Sequence, residues 1–248
     1  MHRIGNLVSI RPAILDALQS ELLQLHLPRG CLSYCSFVGG IGDANLTSAG
    51  NARMHPVLNQ NVFLVKEHVG MFKAANNFDI YDPESGEQII HCREDNLGFF
   101  TRMLRFTDYK RMTPFNVELK TPSGEPILSI TRGVSIFLSK VDVLDEDGER
   151  TGGFKQKFFS IGGAFRVLGN EDQELCTLKG KWTGWEFKFV KDGLEFARVS
   201  KKWAGIGKEM FTSADTYVLE IADDVPPDNS IRQLIMGAVM CIDMVLKE

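Results

Sequence analysis

From Asn61 onward, short runs rich in β-branched and aromatic residues are separated by polar pairs: Ser85-Gly86, Ser123-Gly124, Asp147-Gly148, Glu171-Asp172 and Asp192-Gly193. Pairs of this kind suit the tight connections of β-hairpins, whose central residues need positive φ. Each therefore predicts a hairpin, with arms reading IYDP/EQII, NVELK/PILSI, VDVLD/RTGGF, AFRVL/LCTLK and EFKFV/LEFARV. Serial hairpins make a meander of about ten or more strands. In FKFV, Phe187 and Phe189 fall on one face and Lys188 on the other, so the sheet has one apolar and one wet face.

A sheet of that size has two edges with unpaired backbone groups, and closure into a barrel is the solution that removes both. Its interior then needs filling. The final segment, SIRQLIMGAVMCIDMVLKE, predicts a helix of about eighteen residues, preceded by Pro226-Pro227 and by the capping residues Asp228, Asn229 and Ser230. Its stretch 234–242, LIMGAVMCI, is apolar on every face, which means burial all round. A membrane-spanning helix needs about twenty predominantly apolar residues, and this run is shorter and is followed at once by Asp243. The expectation is a core helix, with Leu234, Ile235, Val239, Ile242 and Val245 filling the barrel and Gly237 and Ala238 allowing strands close to it.

The first 53 residues have another texture. Residues 12–27 place Ile14, Leu15, Leu18, Leu22 and Leu25 at helical spacing behind Pro12, predicting one short amphipathic helix. A Gly-, Asn- and Ser-rich linker follows. The expected organisation is an N-terminal extension over 1–53 and a barrel over 54–248, with Met54 as a candidate natural start.

Composition narrows the chemistry. The formal net charge of -4 and pI near 5.8 supply no global basic field, so no nucleic-acid partner is expected. Cys31, Cys35, Cys92, Cys176 and Cys241 are odd in number and scattered, which suits a reducing compartment and makes Cys92 and Cys176 core residues. The segment Gly39-Gly40-Ile41-Gly42 lacks the strand, helix and lysine of a phosphate loop. The five histidines have no paired ligand spacing, and Asp145, Asp147 and Gly148 read as a hairpin turn because an EF-hand register would put Val143 first. No nucleophile, catalytic base or metal set emerges, so the chain is expected to be no enzyme and to need no cofactor.

One constellation points to a partner. TRMLRFTDYKRM at 101–112 sets Arg102, Arg105, Lys110 and Arg111 beside Phe106 and Tyr109, cations for phospholipid phosphates and rings for the interfacial level. Its bland alternative is a solvated edge. A second basic group, Lys179, Lys181, Lys188, Lys191, Lys201 and Lys202, falls on adjacent predicted hairpins, and Lys201 and Lys202 join the lipid-binding candidates.

The segment VSKKWAGIGKEMFTSAD at 199–215, with Ser200, Lys201, Trp203, Gly205, Ile206, Glu209, Phe211, Thr212, Ala214 and Asp215, resembles the phospholipid scramblase family, as do Gly237-Ala238, Ile242-Asp243 and Glu248 in the helix. The earlier hairpins resemble this family and its LURP-one-like relatives in pattern. The resemblance implies a tubby-like fold: a closed antiparallel β-barrel of about twelve strands around a buried C-terminal helix. It further implies phospholipid binding at the cytoplasmic face of the plasma membrane and movement of phospholipids between leaflets. The alternative is a soluble adaptor or protein-binding barrel with no lipid role. A calcium loop, which the resemblance would put at 213–224, finds Ser213 and Val218 at positions that want an acid and a glycine; only Asp215 and Asp224 suit ligand positions, and TYVLEI alternates like a strand.

A chain beginning at Met54 is expected to fold and to melt within a few degrees of the full chain. Insolubility of that truncation, or a much lower melting temperature by circular dichroism, would assign the first 53 residues to the folded domain.

Overall fold

The computed structural model describes residues 54–68, 75–95, 97–107, 112–134, 140–156, 164–181, 185–201, 216–242 and 244. After a 3-10 turn at Pro56–Asn59, twelve strands follow: β1 (Val62–Glu67), β2 (Phe78–Tyr81), β3 (Gln88–Arg93), β4 (Phe115–Lys120), β5 (Pro126–Arg132), β6 (Lys140–Leu144), β7 (Arg150–Gln156), β8 (Ala164–Gly169), β9 (Glu174–Lys181), β10 (Glu186–Lys191), β11 (Leu194–Ser200) and β12 (Thr216–Ile221). A short helix, α1 (Phe99–Leu104), lies between β3 and β4, and α2 (Ile231–Cys241) follows β12. Every strand pairs antiparallel with its sequence neighbours, and β1 pairs with β12 to close the barrel, with Phe63 opposite Leu219 and Val65 opposite Tyr217.

All five hairpins read from the polar pairs are present, joining β2–β3, β4–β5, β6–β7, β8–β9 and β10–β11. Their turns take the positive φ those residues suit: Gly86, Gly124, Gly148, Asp172, Asp192 and Gly193 all lie there. Alternation then sorts the side chains. On β4, Phe115, Val117 and Leu119 enter the core while Asn116, Glu118 and Lys120 face outward. The stretch matched to a calcium loop is, over its described part, β12, with Tyr217, Leu219 and Ile221 in the core. Asp224 is exposed in the following turn, and Asp215 lies outside the described residues.

The core filler is α2, all 11 residues of which are buried. Leu234, Ile235, Ala238, Val239 and Ile242 join one apolar cluster with the inward side chains of the barrel, as do Met236, Met240 and Met244. The helix approaches β6 and β7 closely. A Cβ on Gly237 would sit 3.0 Å from Val143 Cγ2, and one on Gly152 of β7 would sit 2.9 Å from Leu234 Cδ2. Val245 lies outside the described residues. At the helix start, Ser230 makes no side-chain cap; Asn229 Oδ1 instead accepts from the Ile231 N–H at 3.0 Å.

Arg232, buried at the first turn of α2, ties the helix to the barrel. Its guanidinium donates to the carbonyls of Leu58 (3.2 Å), Gln60 (2.8 Å), Val225 (2.6 Å) and Pro226 (2.9 Å) and to Asn61 Oδ1 (2.7 Å). These acceptors flank the two strands that close the barrel. Burial lowers its pKa from the ordinary value, although an arginine remains charged.

The two rims differ. The five tight turns, with 222–230 leading into α2, gather at one rim. The long connections, including the one carrying α1, leave the other.

Replacing Ile235 or Ile242 by Asp is expected to unfold the barrel. An unpaired charge in that lumen costs several kcal/mol against a total stability of about 5–15 kcal/mol. Far-ultraviolet circular dichroism with urea titration reads this directly; a variant that keeps its β-signal and midpoint would remove α2 from the core.

Candidate functional site

Between Arg93 and Phe115 the chain leaves the sheet, and its excursion is closed at the neck by a buried ion pair. Glu94 stands where β3 ends, and Arg105 directly follows α1. Arg105 donates from one terminal nitrogen to Glu94 Oε2 at 2.5 Å and from the other to Oε1 at 2.6 Å. The side chains are 3% and 2% exposed. Further bonds complete the neck: Arg105 to the Pro114 carbonyl (2.9 Å), and Asn76 N–H and Nδ2 to Glu94 Oε2 (both 2.9 Å). A fork-on-fork pair with further hydrogen bonds on both partners fixes orientation as well as position.

What the neck holds out is apolar. Six residues are too few for an autonomous helix, so α1 depends on that anchor. Thr101 packs inward. Phe99 is 73% exposed, Phe106 58%, Met103 51% and Phe100 49%, with exposed Arg102 among them. The Phe99 and Phe100 rings meet edge to face at 5.8 Å. Among the described residues, the only other large hydrophobic so exposed is Leu194, on the opposite rim.

The sequence-predicted residues therefore separate. Arg102 and Phe106 are on the exposed excursion, but Arg105 is withdrawn from the surface because Glu94 requires a counter-charge in a buried neck. Tyr109, Lys110, Arg111 and Lys202 lie outside the described residues. Lys201 Nζ sits 4.2 Å from the Trp185 ring centroid, a cation–π contact, and Trp185 stacks on Tyr217. Lys188, in the second basic group, reaches Glu195 at 2.9 Å and Glu186 at 3.5 Å, so this lysine is ion-paired on the wall. Sequence reading placed no helix at 99–104 and did not single out Phe99, Phe100 or Met103. The signal was a run of three large apolar residues around Arg102, FFTRM, between two strand patterns.

A half-buried cluster of titratable groups also lies on the outer face of β2 and β3. Asp79 on β2 accepts from Arg93 at 2.6 Å, meets His68 Nε2 at 2.5 Å and has His91 Nδ1 at 3.5 Å. Burial alone would raise its pKa, but the hydrogen bonds and charges of Arg93 and His68 more than offset this and hold the carboxyl below the usual range. Its carboxylate is thereby committed to neighbours on the sheet. Among the described residues no group of three or more His, Cys, Asp or Glu side chains is placed to hold a metal ion. Cys92, Cys176 and Cys241 are buried free thiols, and burial pushes Cys176 up to about 12.

A family model described as Scramblase matches residues 45–248. The chain belongs to the scramblase family. The human protein described as Phospholipid scramblase family member 5 is 18% identical over 207 residues, covering 77% of this chain and 73% of its own. An X-ray structure of an Arabidopsis thaliana protein, 14% identical, covers 79% of this chain and 99% of its own with a TM-score of 0.44. The twelve-strand barrel around α2 is the architecture expected of this scramblase-family chain.

Arg105→Met should lower stability by about 3–5 kcal/mol, because Glu94 then stays buried without a counter-charge. Adding Glu94→Gln should recover a substantial part of that loss. Urea unfolding of both variants checks the coupling, and a single change costing under about 1 kcal/mol would mean that the pair does not hold the neck.

Proposed function

We propose that this scramblase-family protein is a non-enzymatic phospholipid-binding barrel that engages anionic phospholipid at the cytoplasmic face of the plasma membrane, with movement of phospholipids between leaflets as its further activity. The observation that carries the binding reading is the excursion at 94–107. Three phenylalanines and a methionine stand exposed around Arg102, on and just after a helix fastened to the barrel by the Glu94–Arg105 pair. Aromatic side chains at this density suit the headgroup level of a bilayer, and each basic residue near an anionic surface contributes about 1 kcal/mol. Family membership and the name of the human relative support the same partner.

The lumen favours binding at the surface over passage through the barrel. It is occupied by α2, whose side chains join the inward residues of the sheet in one apolar cluster. A phospholipid headgroup entering there would have to displace the core.

Flotation tests binding, and dye quenching in liposomes tests movement. The protein should float with vesicles rich in phosphatidylserine and remain behind with pure phosphatidylcholine, with the electrostatic part weakening as salt rises. Added to liposomes labelled in both leaflets, it should raise the fraction of lipid open to an external quencher. No flotation at any composition would favour the protein-binding alternative. Flotation without added quenching would restrict the role to binding.

A further inference from the structure

The barrel is polarised from rim to rim, and the polarity bears on how it meets a membrane. At the tight-turn rim the connecting segments read DPESGE, TPSGE, DEDGE, NEDQ, DG and ADDVPPDNS. None contains Lys or Arg, and each presents an exposed acid: Glu84, Glu125, Asp147, Asp172, Asp192 and Asp224. Of the cations at strand ends beside these turns, Arg150 and Lys120 pair with Asp142, Asp172 and Glu118, and Lys191 precedes the Asp192 turn, so acids stay in excess at this rim. The opposite rim carries α1, with Phe99, Phe100, Met103 and Phe106 exposed around Arg102.

From these two rims, and resting on the phospholipid-binding reading above, we infer that the barrel docks end-on. The four apolar side chains of the α1 excursion enter the boundary between headgroups and acyl chains of an anionic bilayer, and the acidic rim points away from it. An anionic surface repels carboxylates within a Debye length, about 8 Å at physiological salt. Strands of six residues run roughly 20 Å, which is about 15 Å along the axis of a barrel whose strands tilt. In the end-on pose the acidic rim is therefore well over one Debye length from the lipid. A barrel lying on its side would bring carboxylates of several turns to the surface.

The neck makes the pose specific. Arg105 holds both ends of the excursion, so α1 is fixed at the rim with Phe99, Phe100, Met103 and Phe106 exposed. Most of the attraction is then apolar, and this part of the binding persists when salt screens the contribution of Arg102.

The test uses the full chain, vesicles with roughly a third phosphatidylserine, and physiological salt near 0.15 M. Changing Phe99, Phe100, Met103 and Phe106 together to Ala, with the melting temperature checked first, should weaken vesicle binding by about 100-fold or more. Reversing charge at the far rim with Glu84→Lys, Glu149→Lys and Asp224→Lys should leave affinity within about twofold, because the separation exceeds the screening length. Phe100→Trp should shift its emission to the blue on vesicles and be quenched by lipids brominated high in the acyl chain, whereas Leu194→Trp on the acidic rim should do neither, each read as a difference from wild type. If wild type binds but the four-alanine variant binds as well, or the far-rim reversal tightens binding several-fold, end-on docking is wrong and lipid binding stands. If wild type forms a dimer without vesicles that the four-alanine variant loses while still floating, the patch is a contact between copies. No binding by wild type overturns both readings.

Discussion

A helix with no polar face must be surrounded, and the geometry of this protein follows from that requirement. Each residue of α2 is buried, so no single sheet face would be enough to cover it. A closed barrel covers it on all sides and removes the sheet edges as well. Arg232 couples the two solutions: its donors reach 58–61, just before β1, and 225–226, just after β12. The strands that close the barrel are thus fastened to the helix that fills it. Their pairing joins Val62 to Glu220 across most of the described chain. Such a contact incurs loop entropy before it is stabilised, and the apolar surface of α2 is what offsets it.

Closure also fixes where variation is tolerated. One rim receives the turns, whose lengths are set by the hairpin geometry, and it is where α2 enters. There is little room at that rim for anything but Gly, Asp, Asn and Ser at the special backbone positions. The other rim has no such constraint. Its connection between β3 and β4 is long enough to carry a helix, and a buried ion pair at the neck turns a flexible insertion into a positioned one. The cost of desolvating Glu94 and Arg105 is repaid in geometry, since bidentate contact sets the direction in which α1 leaves the sheet.

The hairpins and the central helix were legible in the sequence because both rest on local signals. Ser85-Gly86 or Asp192-Gly193 specifies a turn by backbone preference alone, and LIMGAVMCI specifies burial by having no polar face. The neck was not legible. Glu94 and Arg105 are eleven residues apart, in a stretch with neither helical nor strand period, and nothing local marks them as partners. Arg105 therefore read as one cation among several in a basic run, when burial had already committed it. For the same reason the importance of Phe99, Phe100 and Met103 was hidden: in sequence they pass for core residues, and only the location of α1 outside the sheet shows that they are exposed.

The distribution of polarity across the wall decides which kind of barrel this is. A barrel that spans a membrane turns its apolar side chains outward and keeps a polar lumen. Here the order is reversed: Phe115, Val117, Phe187 and Phe189 face the lumen, while Glu118, Lys120, Lys188 and Arg198 stand on the wall with ion pairs among them. Among the described residues no helix is long and apolar enough to cross a bilayer. The described strands and helices thus offer neither route across it. Among the described residues, exposed large apolar side chains are concentrated instead in the α1 excursion, where four emerge beside one arginine at the rim away from the acidic turns. A filled barrel with a charged wall can meet a bilayer favourably by few approaches, and the one that buries apolar surface while keeping the carboxylates of the tight turns distant is the approach through that rim.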